Sequence, residues 1–249
     1  MLSPFARYGF WLAVICAVAA PLSGIGYRFG WWSLGVAFGL LRWAAYGAIA
    51  ATLVALVGAV ATRPGTGRRG FALSLAAVLI GVATFGGPAM MLKRAQKVPP
   101  IHDITTDTDN PPEFVAVLPL RAGAANTATY GGAEVATQQR VAYPRVVPLT
   151  LSVSPDVAFA RALGEARAMG WDIVAAVPGQ GRIEATDTTL LFGFKDDVVI
   201  RVAPAAGGSR VDVRSESRVG RSDIGTNARR VETFLDRLAK ASGAPASKG

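Results

Sequence analysis

Four residues in one short stretch invite a metal-binding reading. The segment IHDITTDTDNPPEF, Ile101 to Phe114, carries His102, the only histidine of the 249-residue chain, with Asp103, Asp107 and Asp109 behind it. Imidazole and carboxylate groups are the usual protein ligands of divalent cations. Their spacing argues against such a centre. The Asp-x-Asp-x-Asp-Gly loop of calcium sites is missing, and a single histidine excludes a His-rich zinc set or an HExxH motif. We expect no metal and no cofactor, and read the segment as the polar collar where the chain leaves a membrane.

Carboxylates further along could serve acid–base chemistry, which needs a positioned proton donor and acceptor. Glu184 and Asp187 lie in RIEATDT, and Asp196 and Asp197 follow Lys195 in FGFKDDVV. The second pair falls where a hairpin turn is expected, and Asp forms turns without any catalytic role. A hydrolase or transferase built on these four carboxylates is one reading of the chain.

Alternate residues in the strand-like segments suggest a different chemistry. In RVDVRSESR, Val211, Val213, Ser215 and Ser217 point one way, and Arg210, Asp212, Arg214, Glu216 and Arg218 the other. Arg201 opposes Val198, Ile200 and Val202, while Arg182, Glu184, Thr186 and Thr188 oppose Ile183, Ala185 and Asp187. One sheet face is therefore apolar and the other is a lattice of charge. Two accounts fit that lattice. It is a solvated face held by cross-strand ion pairs of modest energy, or it is a ligand site. In the second account Arg201, Arg214 and Arg218 offer forked donors to an anionic or polar ligand, oriented by Glu184 and Asp212 with Thr186 alongside.

GTGRRG (Gly65, Gly67, Gly70) matches GxGxxG but follows no strand, so it is not a dinucleotide fingerprint. No GxSxG, CxxC or Walker lysine motif occurs. Cys16 is the single cysteine, which excludes an intramolecular disulfide.

The net charge of +9 first suggests nucleic acid, but its distribution removes that reading. Residues 1–100 hold nine Arg or Lys and no acid, whereas residues 101–249 hold 17 of each sign. The excess belongs to the apolar half, where basic residues flank membrane spans. Uncharged runs of 20, 20 and 23 residues lie between Arg7 and Arg28, Arg42 and Arg63, and Arg69 and Lys93. Each approaches the ~20 apolar residues that a bilayer requires. The 13-residue run FGWWSLGVAFGLL is shorter, and we read it as a tryptophan-rich interfacial piece before the second of three spans. A signal peptide cleaved near AVAAP is the rival for the first run, but Pro21 and two later spans favour an uncleaved helix. Basic flanks number four on one side and five on the other, so they do not set orientation. The loop RPGTGRR, with three arginines, is read as a cytoplasmic turn, which places the C-terminal half outside.

The elements that must position the charged face follow from local signals. Pro99-Pro100 and Pro111-Pro112 punctuate a polar segment, 99–147, that shows little periodicity and is read as a linker or a strap. VVPLTLSV is strand-like, and Ser154 caps a helix with Pro155 in its first turn and Gly170 at its end. Then come WDIVAAV, RIEATDT, VVIRVA and RVDVRSES as strands, and a last helix that Asp223 can cap. The fold expected is α+β: three transmembrane helices over 1–98, then at 148–241 an antiparallel sheet with two helices on one face in the order β-α-β-β-β-β-α, and a flexible tail at 242–249. If the strap lies over the charged face, the buried charges must satisfy one another.

Several long motifs are familiar together. PPIHDITTDTDNPPEF, MGWDIVAA, GRIEATDTTLLFGFKDDVVIRV, VDVRSESRVGRSDIGTNARRV and the membrane segment GYRFGWWSLGVAFGLLRWAAYG resemble the family called domain of unknown function 1499, in its membrane-anchored bacterial form. The resemblance implies a bacterial envelope protein, which with the spans is expected in the inner membrane, and brings no activity, cofactor or catalytic residue. The function expected is a non-enzymatic, multi-pass membrane protein whose periplasmic domain binds an anionic ligand or an envelope protein partner. The enzyme reading and a structural subunit of a membrane complex stand as alternatives.

Overall fold

Three helices open the chain in the computed structural model, which describes residues 1–243. They are α1 (Pro4–Arg28), α2 (Leu34–Ala61) and α3 (Phe71–Ala95). All three are long and apolar enough to cross a membrane. The 13-residue run does not form a separate interfacial piece. Residues 29–33 make a turn, and from Leu34 the run is the start of α2, so Arg42 lies within that helix. Ser33 is the N-cap, its hydroxyl accepting from the Val36 amide at 3.4 Å. Small residues bring the helices together. A Cβ added to Gly9 would meet Ala55 at 3.1 Å, and one on Gly81 would meet the Ala48 carbonyl oxygen at 2.9 Å. These close approaches are contacts inside the chain. Residues Leu190–Gly193 group with these helices into one compact unit.

The second unit comprises Arg94–Thr189 and Phe194–Gly249. Its elements are β1 (Asp103–Thr105), a 3-10 turn (Leu118–Arg121), α4 (Gly132–Ala142), β2 (Leu149–Leu151), α5 (Pro155–Ala168), β3 (Asp172–Val177), β4 (Arg182–Thr188), β5 (Lys195–Ala205), β6 (Gly208–Ser217) and α6 (Thr226–Ala241). The sheet runs β1-β6-β5-β4-β3, antiparallel throughout. β2 also pairs with β6, so two short strands share one edge: β1 opposite residues 214–216 and β2 opposite 209–211. The expected α+β architecture is present, with β1 and α4 added inside the segment that shows no periodicity.

Local chemistry explains the regular elements. Ser154 accepts from the Val157 amide at 3.5 Å with Pro155 behind it, and Gly170 takes φ +78° to end α5. α6 presents Ala228, Val231, Phe234, Leu235 and Leu238 inward, all buried. They pack with Phe159, Ala162 and Ala166 of α5 against Ile183, Val198, Ile200, Val211 and Val213 of the sheet. The cap of α6 differs in detail from expectation: Gly225 is the N-cap residue, while Asp223 Oδ2 accepts from the Asn227 amide at 2.6 Å. The expected tail, 242–249, lies outside the described residues beyond Gly243.

Candidate functional site

The opposite sheet face is built in three cross-strand rows. The first aligns Asp103, Glu216, Asp197 and Thr186 on β1, β6, β5 and β4. The second aligns Thr105, Arg214, Val199 and Glu184, and the third Asp212, Arg201 and Arg182. The first row brings three carboxylates side by side, an arrangement that repels itself unless cations intervene.

Those cations come from the sheet and from the strap. Arg214 takes Asp103 in a fork, Nε to Oδ1 at 2.9 Å and Nη2 to Oδ2 at 2.8 Å. Arg218 takes Asp197 the same way, both contacts at 2.8 Å. Arg121, in the 3-10 turn of the strap, reaches Asp197 at 2.7 Å and Glu216 at 3.0 Å. Phe114 slides its ring beneath two of these guanidinium groups, 4.8 Å from that of Arg214 and 5.8 Å from that of Arg121. Phe114 and Val117 also bury Val199, giving the charged face a small apolar core of its own.

Glu184 anchors the strap by another route. Its carboxylate accepts from the successive amides of Val115, Ala116 and Val117 at 3.0, 2.9 and 3.0 Å, and Arg182 pairs with it from the adjacent position on the same face. Backbone carbonyls of the strap close the remaining donors: Pro112 and Ala128 accept from Arg214, and Leu120 from Arg218. Asn126 donates back to the Ser217 and Gly220 carbonyls. At the far margin, Asp107 receives Arg201 at 3.1 Å and Arg210 at 2.8 Å, and Asp212 receives the same two arginines. Six carboxylates thus face six guanidinium groups among the described residues.

Burial works to raise each of these carboxyl groups, and their hydrogen bonds and neighbouring charges decide the direction that results. It works to raise the Asp197 pKa, but hydrogen bonds from Arg218, Thr186 and Arg121 outweigh it and hold the carboxyl below its ordinary value. Asp107 is likewise low, because amides of Asn110 and Asp109 with Arg210 and Arg201 overcome its burial. Asp103 is raised by burial, which Arg214 only partly offsets. Glu216 is pushed up to about 8 by burial and by the charge of Asp103 beside it. Its contact with Arg121 would by itself favour the anion. The raised direction prevails because both nearby arginines are already engaged by other carboxylates, and Glu216 Oε2 is buried without a hydrogen-bond partner.

The structure accordingly divides the six residues expected to bind ligand. Glu184, Thr186, Asp212 and Arg214 are buried, and Arg218 keeps 12% of its side-chain surface. Arg201 retains 28%, and its neighbour Arg210 retains 41%. The four carboxylates considered for acid–base work do not converge. Glu184 and Asp197 lie under the strap, while Asp187 and Asp196 are on the helix face, bound by Arg230 of α6 at 2.8 and 2.6 Å. His102 keeps its ring near the Arg221 carbonyl oxygen at 3.4 Å, and its own carbonyl accepts from Ser217 and Asn227. Asp103, Asp107 and Asp109 diverge to different arginines.

Two contributors escaped the sequence reading. Arg121 lies in a stretch without periodicity and gives no signal. Arg230 does give one, since it stands on the buried side of α6 three residues after Asn227 and four before Phe234.

The family described as "Protein of unknown function (DUF1499)" matches residues 103–238, from β1 into the last helix. No curated protein and no solved structure matches the chain.

Proposed function

The chain belongs to the DUF1499 family, and from that premise we propose that it is a non-enzymatic binding domain of the bacterial cell envelope. In this reading its three helices hold it in the inner membrane and the α+β domain faces the periplasm. The margin of the charged sheet face, Arg201 and Arg210, receives an anionic ligand or an acidic patch of a protein partner. Glu184, Arg214 and Arg218 hold the strap through its amides and carbonyls, and Thr186 supports them by donating to Asp197.

The observation that carries the reading is the gradient of exposure across the lattice. The carboxylates Asp212 and Glu184 have side chains 1% and 0% exposed, while the arginines Arg201 and Arg210 keep 28% and 41%. Apart from Asp107, 15% exposed and shared by both arginines, the donors face outward and the acceptors inward, and a forked guanidinium held by an inner carboxylate is preorganised for an anion. The acid–base alternative has less support. Glu184, Asp187, Asp196 and Asp197 are each committed to arginines or backbone amides, and a catalytic pair needs one partner free to exchange its proton.

The double variant Arg201→Ala/Arg210→Ala tests the proposal. Because Asp212 is buried and loses both its cations, the variant is expected to be destabilised by ~3–5 kcal/mol and, at a temperature where circular dichroism shows it folded, to lose ligand or partner binding and the cellular phenotype of the gene. A variant that folds and retains both ends the proposal.

A further inference from the structure

A second concentration of positive charge lies elsewhere in the α+β unit and is left unpaired. An open pocket of about 290 Å³ is lined by Arg94, Lys97, Tyr143, Ile224, Arg229 and Glu232 with small apolar neighbours. On the sheet face every guanidinium meets a carboxylate. Here, among the described residues, Arg94 and Lys97 have no ion-pair partner and Arg229 bonds only to the Thr226 hydroxyl, at 3.4 Å. In the lining three cations stand against the single acid Glu232, with Asp223 acting on Tyr143 from outside it.

Two further features mark the pocket. The Tyr143 hydroxyl is buried without a hydrogen-bond partner and lies 3.2 Å from where a Cβ on Gly225 would stand, so a side chain there would crowd it. A buried hydroxyl without a partner is costly, and such groups call for an explanation. Burial and the charge of Asp223 push its pKa up to about 12, so it stays a donor. Ile224 adopts φ +57°, a left-handed conformation rare for a β-branched residue. Strain of this kind persists where surrounding structure holds it and concentrates at ligand sites.

We infer that this pocket binds the phosphate of an anionic phospholipid headgroup, with Arg94, Lys97 and Arg229 supplying charge and Tyr143 Oη donating a hydrogen bond. Lipid is the favoured source because Arg94 occupies the last turn of α3, a helix long and apolar enough to cross a membrane. Basic residues at such an end meet headgroups directly. Inorganic phosphate shares the chemistry. The inference uses none of the residues of the Arg201–Arg210 margin, so each can fail without the other.

The test uses the full chain in maltoside micelles, titrated separately with dihexanoyl phosphatidylglycerol, dihexanoyl phosphatidylcholine and inorganic phosphate, with thermal unfolding as readout. Phosphatidylglycerol is expected to raise the melting temperature saturably, and phosphatidylcholine to do so much less. Arg229→Gln, at an exposed position, should weaken the response about tenfold, and Tyr143→Phe about threefold, the scale of one charge-assisted and one neutral hydrogen bond. Free phosphate that binds as well and displaces the lipid would overturn the lipid assignment while sustaining the phosphate site. A non-saturable response, or variants that respond like the parent, would overturn the site altogether.

Discussion

Glu216 shows how the lattice works at the scale of single residues. It stands between Asp103 and Asp197 in one row, and the arginines that reach it are held more firmly by those neighbours. Its folded pKa of about 8 exceeds the ordinary 4.5, so the folded state holds a proton that the unfolded state releases. Stability linked to this group is therefore full below about pH 4.5 and is lost as pH rises toward 8. Glu216→Gln should flatten that decline, raising stability near pH 8 by ~1–3 kcal/mol, the cost of an unsatisfied buried polar group. Melting temperatures of parent and variant measured from pH 5 to pH 9 would check it; parallel curves would contradict it. Arg121 predicts the opposite outcome. Arg121→Ala removes one of the two cations of Asp197, whose fork with Arg218 remains, and should destabilise the domain by ~1–3 kcal/mol. Denaturation of the variant at pH 7 measures this directly, and the loss should shrink when Glu216→Gln is added, because the two side chains are in contact.

The strap is the element that turns a charged face into an interior. Its residues 113–121 supply amides, an arginine and an aromatic ring to the sheet, and α4 adds Gln139, whose amide exchanges hydrogen bonds with the Thr105 backbone at 3.0 and 2.6 Å. The strands and helices α5 and α6 were legible because each buries one face, so apolar residues recur at period two or at helical spacing. α4 was not legible, since only Ala136 and Gln139 of its eleven residues are buried and no apolar stripe exists to read. β1 escaped for a related reason. It is three residues long, and Asp103, Ile104 and Thr105 are all buried, so no alternation marks it. The charged face itself was read correctly from alternation, whereas its cover depends on backbone amides, which carry no residue signature. In the helical unit, Gly81→Leu should force α2 and α3 apart, because even a Cβ there meets Thr52 Oγ1. A cysteine pair placed across the two helices would then crosslink less efficiently than in the parent.

For the whole molecule, the charge asymmetry between the two halves reflects two different solvents. The basic, acid-free first hundred residues form helices suited to a bilayer, and the balanced remainder pairs the charges of its sheet face internally. A reporter fused after residue 249 should be active outside the cytoplasm if the arginine-rich loop between α2 and α3 is cytoplasmic; activity inside would reverse the orientation. The central claim is that the lattice of Arg, Asp and Glu is directed inward, clamping the strap on the sheet and leaving only the Arg201–Arg210 margin outward. Hydrogen exchange at the Val115, Ala116 and Val117 amides tests it most directly, because all three donate to Glu184. Protection close to that of the β5–β6 core in the parent, lost selectively in Glu184→Gln, is the predicted result. Free exchange of these amides in the parent would contradict the account.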